Sequence, residues 1–444
     1  MKTVFLCGGI GKRMRPITED KFLLDFLGKT LLEHQIDMAK EAGLTDFIMV
    51  GNPQNIGDIE RIVTNIPDIK AELAIQKEPL GIANALENVR QFLNGEIIVV
   101  NPNDVFETSA YTRLLEAHQT NSATSYLLGY EVSDYFSGGY LVVGEDGKLT
   151  HIIEKPEPGK EPSNLVNILV HLHTNPRSLL TYAAGVQTKK DDIYECAIDA
   201  MVKDTGSAKV IPYTGLWDTI KYPWHIFTMV RRFLDQSQEY ISPSADISDQ
   251  ATVGGKVIIS DNVRVLENAV IRGPAYIGPN SVIGNNSLVR EYSHIGADCV
   301  VGYSTEVKGS YVGDGCWFHM SYIGDSIIGN GCSFGAGTVL SNLRFDEKNI
   351  WVKMDGKPID TGVNKFGAII GSNCKTGVNA NVMPGIRIGS NSIVGSHVCL
   401  TEDLGPDMIA LAEPVYKTSR NKLQLDIEKG QQADEVMRDL TCVE

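Results

Sequence analysis

"IRGPAYIGPNSVIGNNSLVREYSHIGADCVVG", residues 271–302, returns an aliphatic side chain at every sixth position: Ile271, Ile277, Ile283, Val289, Ile295 and Val301. The beat runs back through Val265, Ile259, Val253 and Ile247 to Ile241, and on to Val307. Six matches neither the 3.6-residue helix nor a long alternating strand. Each hexad is therefore one short side of a coil that points its aliphatic residue inward. Stacked coils bury a continuous core that no single coil could enclose. Glycine follows the aliphatic residue in Ile277-Gly278, Ile283-Gly284, Ile295-Gly296 and Val301-Gly302, and is expected to supply corners that a β-carbon would strain.

The phase slips near Val312 and Phe318 and resumes through Ile328, Phe334 and Leu340. It breaks for "SNLRFDEKNIWVKMDGKPIDTGVNKFGA", residues 341–368, and returns at Ile370, Thr376, Val382, Ile388, Val394 and Leu400. So long an excursion from so regular a coil points to function. After about residue 415 the pattern gives way to a charged, helix-prone tail.

Upstream the rhythm is different. "TVFL", "DFIMV", "EIIVV" and "TSYLLGY" read as buried strands, and "TLLEHQIDMAKEAG" and "IANALENVRQFLNG" as helices closing on Gly43 and Gly95. Strand and helix in alternation predict an α/β, Rossmann-like layer with ligands at the carboxyl ends of the strands. The expected divisions are 1–235, 236–414 and a tail 415–444, in line with a length of 444 residues.

With 40 Lys plus Arg against 55 Asp plus Glu, the net charge of −15 argues against a general nucleic-acid or membrane-surface binder. An anionic ligand must be met locally. The eight cysteines, Cys7, Cys196, Cys299, Cys316, Cys332, Cys374, Cys399 and Cys442, contain no C-x-x-C pair and read as reduced packing residues. "MKTVFLCGGIG" reaches glycine too soon for a signal peptide and no apolar run has spanning length, so a cytoplasmic location is expected.

The local anion site stands at "LCGGIGKRMRPITEDKFLLDF", residues 6–26. A strand ending in Gly8-Gly9, with Gly11 beyond, can turn successive backbone N–H groups toward a phosphate. Such a turn is common as plain structure, but Arg13, Arg15 and Lys21 add the charge a triphosphate requires.

Residues 8–36, "GGIGKRMRPITEDKFLLDFLGKTLLEHQI", resemble the signature of sugar-1-phosphate nucleotidyltransferases, and the likeness continues through "QKEPLGIANAL", "NPNDVF", "IIEKP" and "YPWHIF". The resemblance implies that Arg13 and Lys21 act on the phosphates beside Gly8, Gly9 and Gly11, that Gln76 and Gly81 hold the base, and that Lys155 and Asn167 meet the sugar-phosphate. It implies Mg²⁺ on Asp104, with Asp218 the candidate second ligand. Taken singly, Asp104 would read as a loop cap and Lys155 as a solvated lysine; their joint order favours function. The chain departs from the family at Phe22, Ile82 and Leu169, and Thr219 stands where the second metal aspartate is expected.

The hexads resemble the left-handed parallel β-helix of acyltransferases that use acetyl-CoA as co-substrate and assemble as homotrimers. The order of the halves is similar to that of bifunctional enzymes completing UDP-N-acetylglucosamine synthesis, and residues 319–352 look closest to their archaeal branch. The resemblance implies His319 as the base toward a sugar amine, Tyr322 and Asn342 on substrate or acyl oxyanion, and Lys348 on a substrate phosphate. It places Ala336, Ala368 and Lys375 against acetyl-CoA. By itself His319 would pass as a surface histidine; its place at the phase slip, just before the excursion, favours catalysis. Three readings stay open: a bifunctional enzyme acting on glucosamine- or galactosamine-1-phosphate with UTP or dTTP, a glucose-1-phosphate thymidylyltransferase with a structural solenoid, and a chain whose first domain is catalytically degraded, leaving an acetyltransferase or a non-enzymatic regulatory subunit.

Overall fold

The computed structural model describes residues 1–188, 190–413 and 418–422. Most of the expected tail lies outside the described residues. Strand Lys2–Leu6 lies between Asp46–Gly51 and Ile97–Val100, parallel to both, and Lys70–Ile75 extends the parallel set. Near-continuous aliphatic runs such as Ile97–Val100 suit a sheet covered on both faces. Beyond Ile97–Val100 the sheet turns antiparallel with Leu165–His173, which pairs with Ser125–Glu131 and touches Gly139–Val143. The sheet is therefore mixed, with its parallel set at Lys2–Leu6 and its neighbours and its antiparallel pairing around Leu165–His173. Helix Leu31–Glu41 opens on a capping box in which Thr30 and Glu33 satisfy each other's backbone N–H groups.

From Tyr240–Ile241 onward the chain winds through three parallel sheets. Ile241 pairs with Ile259, Ile259 with Ile277, and Ile277 with Ile295, so one coil is three hexads. The inward set, from Val257 to Val398, forms one buried column. After Ile295 the next partner is Val312, and after Val312 it is Ile328; these shortened coils are the sequence phase slips.

The glycines after the aliphatic positions have a different reason from the expected one. The left-handed corners belong largely to Asn and Asp, as at Asn262, Asn280 and Asp298, whose side chains hydrogen-bond up the stack. Gly278 is needed because a β-carbon there would come within 2.5 Å of the Gly296 backbone carbon on the next coil.

The two halves share a core. Helix His225–Gln236, the segment around Ile17–Phe26, and the coil residues Tyr276, Tyr311 and Ile327 bury their apolar sides together. The excursion joins them: its hairpin, Trp351–Met354 against Lys357–Asp360, delivers Val352 and Met354 to the same cluster as Trp224 and Phe366. This segment is thus partly a strut, with an exposed tip at 343–348. No described helix is long and apolar enough to cross a membrane.

Candidate functional site

Strand Lys2–Leu6 ends at the carboxyl edge of the parallel set, and the glycine turn opens there. Gly9 has no neighbour within 4 Å of where a β-carbon would stand, whereas one on Gly8 would strike Gln76 Oε1 at 2.3 Å. Gln76 is locked: its Nε2 donates to the Gly81 carbonyl and to Asn84 Oδ1, both at 3.0 Å. Gly81 sits at φ +84°, and a β-carbon there would meet Asp191 Oδ1 at 2.3 Å. A cavity of about 330 Å³ follows, bordered by Gly8, Gln76, Gly81, Ile82, Leu169 and Asp191. A second space of about 340 Å³ runs beside it under Gly9, Gly11, Lys12, Arg13, Lys21 and Asp191. The turn, Gln76 and the basic residues are thus brought to one cleft.

Lys21 crosses Gly11 and donates from Nζ to the Ile220 carbonyl at 2.6 Å. Burial, reinforced by the Arg13 charge and opposed by Asp104, brings its ammonium down to about 8. Its loop is pinned on both sides: Asn55 Nδ2 donates to Asp20 Oδ2 at 2.6 Å, and Ser372 of the coil donates to Glu19 Oε1 at 2.7 Å. Phe22 turns into the core.

Asp104 is buried and faces Thr219 across a short antiparallel ribbon. Burial pushes its carboxyl up, while Thr219, Lys221 and Lys21 favour the ionised form. The expected partnership with Asp218 is not formed. One step along the ribbon, Asp218 is paired with Val105 and its carboxylate is held by Arg232. Lys221 is one residue that sequence reasoning missed. Its ammonium donates to the Ser137 carbonyl at 2.8 Å, lies 3.2 Å from the centroid of the Phe136 ring, and is brought down to about 8 by burial. Asp104 alone is too few protein oxygens for a cage held by the chain, so an Mg²⁺ ion here would need substrate phosphates and water as its other ligands.

Of the residues expected at the sugar-phosphate, Lys155 Nζ pairs with Glu154 Oε1 at 2.6 Å. Glu195 lies in the same field; burial and then Glu154 push its carboxyl up to about 8. Asn167 accepts at Oδ1 from His171 Nε2 at 2.7 Å. Glu195 and Asp191, like Lys221, carried no motif, although "KKDDIYEC" shows acidic residues at a helix start.

The second constellation lies on the coil. His319 is exposed at the corner between strands Trp317–Phe318 and Tyr322–Gly324, and its imidazole has no partner among the described residues. Tyr322 and Asn342 meet over Gly324, where a β-carbon would stand 2.8 Å from Asn342 Nδ2 and from Tyr322 Oη. Asp325 Oδ2 accepts from both Asn342 Nδ2 and Lys308 Nζ, each at 2.5 Å. Burial, Glu306 and Asp325 raise the Tyr322 phenol, so it stays neutral and able to donate.

Other expected residues are dispersed. Lys348 is exposed at the excursion tip beside Asp346 and reaches none of these groups. Lys375 faces outward on the sheet that carries Trp317 and Ser333, and Ala336 lies half-buried at a corner. Ala368 must be corrected. It is fully buried in the coil interior and its N–H donates to Ser326 Oγ, so it cannot touch acetyl-CoA.

Residues 2–218 match the nucleotidyl transferase family model, and 256–291 and 367–402 match that of the bacterial transferase hexapeptide. A Methanococcus maripaludis protein named bifunctional protein GlmU is 38% identical over 411 residues, covering 91% of this chain and 95% of the relative. The chain belongs to this bifunctional family. A second member, the bifunctional sugar-1-phosphate nucleotidylyltransferase/acetyltransferase of Sulfurisphaera tokodaii, is 32% identical over 91% of this chain and 98% of its own length. The GlmU of Methanocaldococcus jannaschii is also 32% identical, over 91% of this chain and 96% of its own. Membership joins the two constellations: a nucleotidyl transferase domain and a bacterial transferase hexapeptide domain stand in one chain.

Proposed function

We propose that the chain N-acetylates glucosamine-1-phosphate or galactosamine-1-phosphate with acetyl-CoA, and transfers a nucleotidyl group from UTP or dTTP to the sugar-1-phosphate with release of pyrophosphate. The observation that carries this reading is the glycine turn opening on a cleft bordered by Lys12, Arg13 and Lys21, in one chain with His319, Tyr322 and Asn342.

In nucleotidyl transfer the sugar-phosphate oxygen attacks the α-phosphorus, a new P–O bond forms, and the bond to the β-phosphate breaks. The nucleophile is already anionic, so the chain's task is placement and charge neutralisation. Backbone N–H groups of the turn, Arg13 and Lys21 stabilise the leaving pyrophosphate. Gln76 and Gly81 hold the base, and Lys155 and Asn167 hold the sugar-phosphate. Asp104 would hold Mg²⁺ together with the substrate phosphates, and the ion would supply further charge neutralisation there.

In acetyl transfer the amine nitrogen attacks the thioester carbonyl, its proton passes to His319, and the CoA thiolate leaves. An exposed imidazole with no side-chain partner among the described residues is free to take that proton. Tyr322 and Asn342, fixed by Asp325 and Lys308, orient the sugar and the acyl oxygen. Lys375 and Ala336 border acetyl-CoA.

A homotrimer is proposed as the assembly. The exposed Tyr303, Trp317 and Met320 around His319 support it, because large apolar side chains grouped on one face are covered in stable assemblies. Seven free cysteines among the described residues support a cytoplasmic location.

A second reading is favoured by the Asp218–Arg232 pair: an active acetyltransferase with a silent first domain. Two assays on one preparation separate them. The first follows CoA release from acetyl-CoA with either amino-sugar-1-phosphate. The second follows pyrophosphate release from UTP or dTTP with N-acetylglucosamine-1-phosphate. Both products are expected; CoA alone would establish the silent domain, and pyrophosphate alone a structural coil.

A further inference from the structure

Beneath the sugar side of the cleft runs a line of buried polar groups that neither reaction uses. Strand Leu165–His173 sends His171 and His173 inward, and helix Ile193–Thr205 sets Tyr194 between them. Ser125 Oγ lies 2.7 Å from His173 Nδ1, and His173 Nε2 lies 2.7 Å from Tyr194 Oη. Tyr194 Oη lies 2.8 Å from His171 Nδ1, and His171 Nε2 lies 2.7 Å from Asn167 Oδ1. Ser125, His171, His173 and Tyr194 are all no more than 2% exposed. So many polar groups are costly to bury unless every one is satisfied.

The ends of the line set its direction. Burial depresses both imidazoles, which are therefore neutral with one ring proton each. The Ser125 hydroxyl has no other acceptor among the described residues, so it donates to His173 Nδ1. The His173 proton is then on Nε2 and goes to Tyr194 Oη. Tyr194 in turn donates to His171 Nδ1, which leaves His171 Nε2 to donate to Asn167 Oδ1. That amide oxygen can only accept, so the far end demands the same direction.

With Oδ1 occupied, the Asn167 NH₂ group points elsewhere. It has no partner among the described residues and is not a buried orphan. Asn167 stands beside Gly139: a β-carbon on that glycine would lie 3.5 Å from Asn167 Cβ and 3.0 Å from the Glu154 carboxylate that pairs with Lys155. We infer that Ser125, His173, Tyr194 and His171 form a one-way hydrogen-bond relay that holds the Asn167 NH₂ toward the sugar-1-phosphate, making them positioning residues for nucleotidyl transfer. This rests on the proposed assignment of Asn167 to the sugar subsite.

The test is a double-mutant cycle in the full chain, read as KM for N-acetylglucosamine-1-phosphate in pyrophosphate release. Tyr194→Phe keeps the ring and removes the hydroxyl. It is expected to raise that KM about tenfold, the scale of one lost buried hydrogen bond, while the triphosphate KM and CoA release stay unchanged. Asn167→Ala is expected to raise the same KM, and the double variant to add nothing further. Additive effects, or an unchanged KM in Tyr194→Phe beside a raised one in Asn167→Ala, overturn the relay alone. An unchanged KM in Asn167→Ala, or no turnover by the wild-type chain, overturns the sugar subsite and the relay with it. If Tyr194→Phe loses the fold, His171 decides. His171→Gln, which keeps an N–H donor, should retain a lower KM than His171→Leu; equal values overturn the relay.

Discussion

The interior of the coil and the nucleotide cleft are built on opposite principles. In the coil each inward residue, such as Ile283 or Val289, meets its counterpart one coil away, and the same contact is repeated throughout the stack. In the cleft, no two functional groups are neighbours for the same reason. Lys21 rests on the Ile220 carbonyl, Gln76 on Gly81, and Asp104 on a ribbon shared with Thr219. A repeated local rule makes a rigid frame, whereas chemistry needs unlike groups brought together once. The proposed acetyl-transfer residues His319 and Tyr322 stand where the rule fails, at the shortened turns around Phe318 and Ile323.

The largest effects should separate the two regions. Replacing His319 with alanine is expected to lower CoA release by 10² to 10⁴, roughly the usual worth of a general base, and to spare pyrophosphate release. Lys21→Ala is expected to do the reverse, lowering pyrophosphate release by about 10² to 10³. If either variant lost both activities while remaining folded by circular dichroism, the two sites would not be independent.

Glycine provides a finer comparison. Gly278→Ala places a methyl against the neighbouring coil's backbone, and urea unfolding should show a loss of about 1–3 kcal/mol. Gly9→Ala meets nothing within 4 Å, so its unfolding curve should match the wild type while triphosphate KM rises. A stability loss in Gly9→Ala would assign that turn a packing role.

The smallest effect is one of pH. An ordinary lysine stays charged to about pH 10, but burial brings Lys21 to about 8. The charged form, which attracts phosphate, is complete below that value and lost as pH rises through it. Triphosphate KM should therefore climb between pH 7.5 and about 9 in the wild type, and less in Lys21→Arg, because a guanidinium keeps its charge. CoA release, measured alongside, should not follow the same curve.

The two regions were unequally legible. The twelve consecutive aliphatic positions from Ile241 to Val307 demanded a coil because nothing else buries a period of six, and the structure stacks them as that demands. The glycine turn and its basic neighbours were legible as a set, since their spacing along the chain is short. Lys221, Asp191 and the His171–Tyr194–His173 line were not, because they reach the cleft from separate strands and helices and carry no period. The Asn and Asp corners were missed for another reason: glycine is the expected left-handed residue, and here glycine answers to close packing between coils.

What the sequence determined by itself is whatever depends on neighbours along the chain: the hexad coil, the strand-to-glycine turn, and the order of the two halves. Tertiary structure alone decided which face each side chain turns to. It set Asp218 on Arg232 rather than beside Asp104, sank Ala368 into the coil, and made the excursion a strut between halves. One residue's shift on a strand reverses the face, and burial then sets the charge, so those outcomes follow from packing that no local pattern encodes.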